Sequence, residues 1–226
     1  MYLVGDRFLK KNDIIYLAVM ILIVIAIVAL LASSHPPSQS SSSYAGQLLS
    51  YNGTSLSSVA NVIENAISGT QYINVSTYHL SIYGLVNQSM QLTYNDVITK
   101  QSYLEIVPIR CVEGWSATIL WQGVQVTDLI AEAGALPNAN TVIFHASDGY
   151  TTALPLSYLE DNHVLLAFKM NNITITADRG FPFMLVAQGQ YGYKWIKWVT
   201  GIELSNDSNY LGYWESRGYP NNASIG

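Results

Sequence analysis

Charge is scarce in this chain: Asp, Glu, Lys and Arg make up 11 % of its 226 residues, against roughly a quarter in ordinary globular domains. The shortage falls hardest on basic side chains, ten against fifteen acidic ones, for a formal net charge of -5. Phosphate-backbone binding needs clustered Lys and Arg, and none cluster beyond residue 11, so no nucleic-acid partner is expected. Cysteine is almost absent. A single Cys111 excludes an intrachain disulfide and leaves a lone thiol, either a buried packing residue or a ligand. No internal repeat and no haem or flavin motif occurs, so redox chemistry here would need a separate electron partner.

One uncharged apolar run is present, residues 14–32. At about 1.5 Å per residue it nearly crosses a hydrocarbon core about 30 Å thick. Cleavable signal peptides have shorter apolar cores, about 7–15 residues, so an uncleaved transmembrane anchor is expected, with removal after ALLASS the alternative. Arg7, Lys10 and Lys11 precede the run, and no Lys or Arg follows until Lys100. The positive-inside rule then places residues 1–13 in the cytoplasm and the rest outside, a single-pass protein of the cell membrane. Six N-x-[S/T] sequons lie on that outer side, at Asn52, Asn74, Asn87, Asn172, Asn206 and Asn222. They are candidate glycosylation sites, although a chain rich in Asn and Ser also yields sequons by composition. A polar surface with little charge and many sequons suits an archaeal cell envelope.

Residues 33–54, opening with HPPSQSSSS at 35–43, read as a Pro/Ser-rich tether. Residues 55–226 then form one outer domain, long enough to bury a core. Within it, the spacing of Leu56, Val59, Ala60, Ile63, Ala66 and Ile67 predicts a helix over 55–68, ended by Gly69. A second short helix is expected over 126–133, capped by Thr127, with Asp128 in its first turn and Gly134 at its end. Strands are expected at 78–83, 104–110, 141–146, 164–170 and 195–204, with Asn171-Asn172 as a hairpin turn. The fold class is therefore a β-rich mixed α+β domain.

Several segments recur in order: R-C-V-E-G-W-S at 110–116, W-Q-G-V at 121–124, V-I-F-H-A-S-D-G-Y at 142–150, R-G-F-P at 179–182, Y-G-Y-K-W-I-K-W at 191–198 and G-Y-W-E-S-R-G-Y at 212–219. Together, over residues 78–219, they resemble the molybdopterin-binding domain of the sulfite oxidase family, and most of all its bacterial branch, the catalytic subunit of periplasmic methionine sulfoxide reductase. The resemblance implies a sulfite-oxidase-type fold and a molybdenum–molybdopterin cofactor. It implies that Cys111 is the protein's sulfur ligand to the metal, a soft donor for a metal already held by sulfur. Arg110 beside it would lower the thiol pKa. By the same resemblance Glu113 lies near the metal and relays protons, unless it is a surface carboxylate. Lys194 and Lys197 match basic positions near the pterin phosphate, and strand alternation would point them to opposite faces. His145 and Asp148 fall in a stretch near the cofactor, where a structural histidine is the competing reading. Arg179 stands where the family has His, and Met184 where it has Arg, so Arg179 is the candidate to replace that guanidinium. The five Trp are expected mainly as packing residues.

The outer domain holds thirteen acidic and seven basic side chains, of which only Arg110, Arg179 and Arg217 are arginines. A dense pocket for a small oxyanion is hard to build from these. The expected function is thus oxygen-atom transfer on a sulfoxide-like or other neutral oxide, with electrons from a membrane cytochrome or quinone-linked protein. Two other readings stay open: sulfite oxidation, and a cofactor-free module serving a surface or respiratory assembly.

Overall fold

The computed structural model describes residues 44–225 together with Met20, Ile21 and Ile23. The chain separates into two units, Met1–Ser42 and Ser43–Gly226. The expected anchor lies outside the described residues except for those three, which are helical and exposed. Among the described residues no helix is long and apolar enough to cross a membrane.

The larger unit is built on two five-stranded sheets. The first is wholly antiparallel, formed by β5 (Tyr103–Arg110), β6 (Ser116–Gln125), β9 (Leu165–Met170), β10 (Ile173–Thr174) and β11 (Met184–Val186). β5 pairs with β6 and β6 with β9, while β10 and β11 share the far edge of β9. The second sheet runs β4-β3-β12-β7-β8, from β3 (His79–Gly84), β4 (Met90–Thr93), β7 (Thr141–Ala146), β8 (Thr151–Pro155) and β12 (Val199–Ser205). It is mixed, because β12 runs parallel to β3. β9 shows why these residues make a central strand: five of its six side chains are buried, so an apolar run replaces alternation. A bulge between Gln122 and Gly123 lets β6 approach β9, and only glycine fits, since a Cβ at 123 would lie 2.4 Å from the Leu166 carbonyl oxygen.

Three short helices flank the sheets: α1 (Tyr94–Ile98), α2 (Val126–Ala133) and α3 (Leu156–Asp161). α1 begins with a capping box between Thr93 and Asp96. α2 has the expected bounds, with Asp128 in its first turn and Gly134 left-handed at its C-cap. Thr127 does not cap it. Gln125 occupies that position without a side-chain bond, because the helix follows directly from β6. Asn171 and Asn172 turn β9 into β10 with φ of 47° and 68°.

The helix expected over 55–68 is not formed. A single 3-10 turn, Val59–Asn61, stands there, capped by Ser58. The backbone groups a helix would pair are used otherwise: the Ser57 carbonyl accepts from Asn171 Nδ2 at 2.8 Å, and Asn61 N–H turns to the Ser58 carbonyl. Val59 and Val62 take the buried positions, while Ile63 is 52 % exposed. The unit also reaches back into the expected tether. Tyr44 is buried, and β1 (Ser50–Tyr51) pairs with β2 (Thr54–Ser55). The strand expected from 195 begins only at Val199. Trp195, Ile196 and Trp198 are all buried, which alternation forbids, and the two indoles donate in different directions, to the Gln190 and Ala177 carbonyls. All six sequon asparagines are exposed.

Candidate functional site

The β5–β6 hairpin tip carries the first group of candidates. Cys111 N–H bonds the Trp115 carbonyl at 2.9 Å and Gly114 N–H the Cys111 carbonyl at 3.1 Å, closing a five-residue turn that presents Cys111, Glu113 and Trp115. This tip forms one wall of a cavity of about 430 Å³, within the range of small-molecule sites. Residues 62–67 make another wall, Asp148 and Tyr150 a third, and Asp178, Arg179 and Met184 a fourth. The cavity is completed by Tyr193, Lys197, Trp214 and Tyr219.

Cys111 is a free, half-buried thiol whose Sγ lies 3.9 Å from Glu113 Oε2. Burial pushes its pKa up, and the Glu113 carboxylate adds to the rise. The lowering expected from Arg110 does not prevail: Arg110 is exposed, stands outside the cavity wall and is not among the main causes of the shift. Asn65 was not foreseen. Its Nδ2 reaches Glu113 Oε2 at 3.1 Å and Cys111 Sγ at 3.7 Å, so it bridges the two motif residues. Glu64 beside it also lines the cavity and accepts a 2.6 Å bond from Thr70.

Two cations face this cavity. Arg179 is 3 % exposed, with its NH1 2.9 Å from Asp178 Oδ2 but out of hydrogen-bond alignment. Gly180, at φ 108°, lets the chain turn against Lys197, where a Cβ would crowd the lysine stem at 3.0 Å. Lys197 Nζ is buried, has no hydrogen-bond partner among the described residues and lies 4.4 Å from the Trp198 ring centroid. Burial pushes its pKa down to about 8, with Glu64 opposing the fall. Trp115 Nε1 is a third buried donor without a partner. Met184 and Arg179 line the same cavity.

The remaining candidates go elsewhere. Lys194 is wholly buried and uses its three donors on Glu215 (2.5 Å), the Ala153 carbonyl (3.0 Å) and Asn221 (3.0 Å). It holds the C-terminal turn and stands outside the cavity wall. The two lysines do diverge, but through a 3-10 turn at Gly192–Lys194 and not through strand alternation. His145 pairs with Glu203 at 2.9 Å on the second sheet, away from the wall. Asp148 lines the cavity and accepts from Tyr150 N–H at 3.0 Å. Of the tryptophans, Trp121 and Trp195 pack edge-on at 5.8 Å, and Trp115, Trp195, Trp198 and Trp214 all line the cavity.

Residues 67–214 match the family model of the oxidoreductase molybdopterin binding domain. An uncharacterized oxidoreductase, YuiH, of Bacillus subtilis is 38 % identical over 149 residues, covering 66 % of this chain and 75 % of the relative. A putative protein-methionine-sulfoxide reductase subunit, YedZ1, of Azospira oryzae is 29 % identical, covering 65 % of this chain and 56 % of the relative. Human mitochondrial sulfite oxidase is 25 % identical, with this chain spanning 32 % of its length. The fold is shared with the sulfane dehydrogenase SoxCD of Paracoccus pantotrophus, at a TM-score of 0.60 and 21 % identity, over 77 % of this chain and 54 % of that one. With the family model matching well over half of the chain, and the hairpin-tip cysteine lining a cavity with buried donors, this protein belongs to the sulfite oxidase family of molybdopterin-binding oxidoreductases.

Proposed function

We propose that the chain is a membrane-anchored, extracytoplasmic molybdopterin oxidoreductase acting by oxygen-atom transfer on a sulfoxide-like or other neutral oxide. The residues present fit the cofactor. Among the described residues Lys197 Nζ and Trp115 Nε1 are buried donors with no acceptor, and Arg179 NH1 meets only the misaligned Asp178 carboxylate, an arrangement that costs free energy unless a ligand completes it. Lys197 and Arg179 would hold the pterin phosphate, Trp115 a neutral acceptor, and Cys111 the metal. When bound, a molybdenum–pterin supplies two-electron exchange and a place for the oxygen atom.

The charge of the wall carries the choice of substrate. Glu64, Glu113, Asp148 and Asp178 face the cavity against only Arg179 and Lys197. With both cations engaged by phosphate, an anion such as sulfite would meet carboxylates, whereas a neutral oxide meets no such repulsion. Reduction of a sulfoxide breaks one S–O bond, consumes two electrons and two protons, and releases a thioether and water. Glu113, bonded by Asn65 at the hairpin tip, would hand a proton to the departing oxygen. The electrons come from a membrane cytochrome or quinone-linked partner. The apolar run at 14–32 would tether the domain outside the cell, and the exposed sequons would carry glycans.

The test is turnover of the cofactor-loaded protein with a reduced dye and a dialkyl sulfoxide, beside sulfite with an electron acceptor. Sulfoxide reduction without sulfite oxidation is expected; robust sulfite oxidation with no sulfoxide turnover would sink this reading. One observation favours a cofactor-free module instead, Met184 at the family's arginine position, and that reading requires native protein free of molybdenum.

A further inference from the structure

We propose that residues 63–73 are a movable wall of the cavity, the door through which the pterin cofactor enters, with Asn65 as its latch. The proposal rests on the cofactor reading above. The donors that suit the cofactor are shielded from water: among the described residues Trp115 Nε1 and Lys197 Nζ have no hydrogen-bond partner, and Arg179 NH1 meets Asp178 Oδ2 at 2.9 Å but out of alignment. A phosphate cannot reach atoms that water cannot reach. The described conformation is therefore closed over them, and some part of the wall must move for the cofactor to bind.

Most of the wall is tied down. The hairpin tip is closed by its own backbone bonds and continues into the eight-residue β5–β6 ladder. The 192–198 stretch is held by the three bonds of Lys194 and by backbone bonds of Ile196 to Leu185 and of Trp198 to Gly180. The C-terminal turn is pinned by buried Glu215 and by Tyr213 N–H on the Thr151 carbonyl. Residues 63–73 differ. Among the described residues they share no backbone hydrogen bond with any strand or helix. Their polar contacts are the internal Glu64–Thr70 bond, local bonds from Gln71, and the reach of Asn65 to Glu113 and Cys111.

The ends of this segment are fixed, as a hinged wall requires. On one side Val59 and Val62 are buried, and Val59 N–H bonds Gln47 Oε1 at 2.8 Å. On the other, Tyr78 is buried and donates to the Val199 carbonyl at 2.6 Å. Gly69 sits between them at φ 71° with nothing within 4 Å of its Cβ direction, a ready pivot. Asn65 thus becomes the one polar contact that binds the middle of the wall to the rest of the cavity.

The experiment is limited chymotrypsin digestion of the full chain, produced in a host that makes molybdopterin and in one that cannot, with molybdenum per chain measured first. Tyr72 is 86 % exposed, and cleavage beside it reads opening of the segment. Loading is expected to slow that cleavage on the order of 10-fold. In the loaded protein, Asn65→Ala is expected to restore much of the fast cleavage there and leave cleavage elsewhere unchanged. Molybdenum present, with cleavage at Tyr72 equal in the two forms, overturns the door alone. No molybdenum from the competent host overturns the cofactor reading and the door with it.

Discussion

A buried ammonium with no hydrogen-bond partner opposes folding, and Lys197, which among the described residues meets the Trp198 ring at 4.4 Å but no acceptor, imposes that cost on the cofactor-free protein. Its folded pKa of about 8 lies below the unfolded value of about 10.4. Between these values the unfolded chain holds more protons, so this group makes stability rise with pH there, and its penalty is complete below about pH 8. Lys197→Met in the cofactor-free chain is therefore expected to gain on the order of 3 kcal/mol at pH 7, with the gain shrinking toward pH 10. Urea unfolding at the two pH values measures this, and an unchanged midpoint at pH 7 contradicts it. The same substitution should lower molybdenum retention, so stability and binding move in opposite directions. Lys194 gives the converse result. Lys194→Met leaves Glu215 buried and uncompensated, which costs about 3–5 kcal/mol, whereas replacing both partners by apolar residues costs less. Denaturant midpoints of the single and double variants separate the two.

At the scale of elements, Asn171 joins three pieces of chain. Its Oδ1 accepts from Leu120 N–H at 3.0 Å, its Nδ2 donates to the Ser57 carbonyl at 2.8 Å, and its backbone is left-handed. Asn171→Ala is expected to cost about 2–4 kcal/mol by orphaning both partners and straining the turn. Asn172→Gly, at an exposed left-handed position, should change stability by less than about 0.5 kcal/mol; thermal unfolding compares them. This turn was legible in the sequence because Asn-Asn has a local preference for positive φ. Strands β3, β5, β7 and β9 and helix α2 were legible for a similar reason, since apolar pattern and glycine punctuation act within a few residues. The helix over 55–68 was misread because its apolar spacing suits a helix, while the Ser57 carbonyl, which a helix would give to residue 61, is taken by Asn171, remote in sequence. Asn65 and Glu64 were lost with it, having been placed on that helix. Among the site residues, Cys111, Glu113, Arg179, Asp148 and Lys197 do meet at one cavity, whereas Lys194 and His145 do not. No local pattern could separate Lys194 from Lys197, because what distinguishes them is Glu215, brought in by the C-terminal turn.

For the molecule as a whole, the fold presents a free thiol on a hairpin tip beside a cavity wall of mixed charge, in a domain with six more acidic than basic side chains past residue 33. That imbalance repels small anions and leaves neutral oxides unaffected, so added salt should ease whatever sulfite turnover exists and leave sulfoxide turnover nearly constant. The account depends most on the cofactor being held by this chain through Cys111. Molybdenum per chain, measured by mass spectrometry on protein purified from its native cells and on a Cys111→Ala variant, tests this most directly. Near-stoichiometric molybdenum in the native protein, falling sharply in a variant that still folds, is the predicted result. Native protein free of molybdenum would contradict the account and point to a module that keeps the fold without the chemistry.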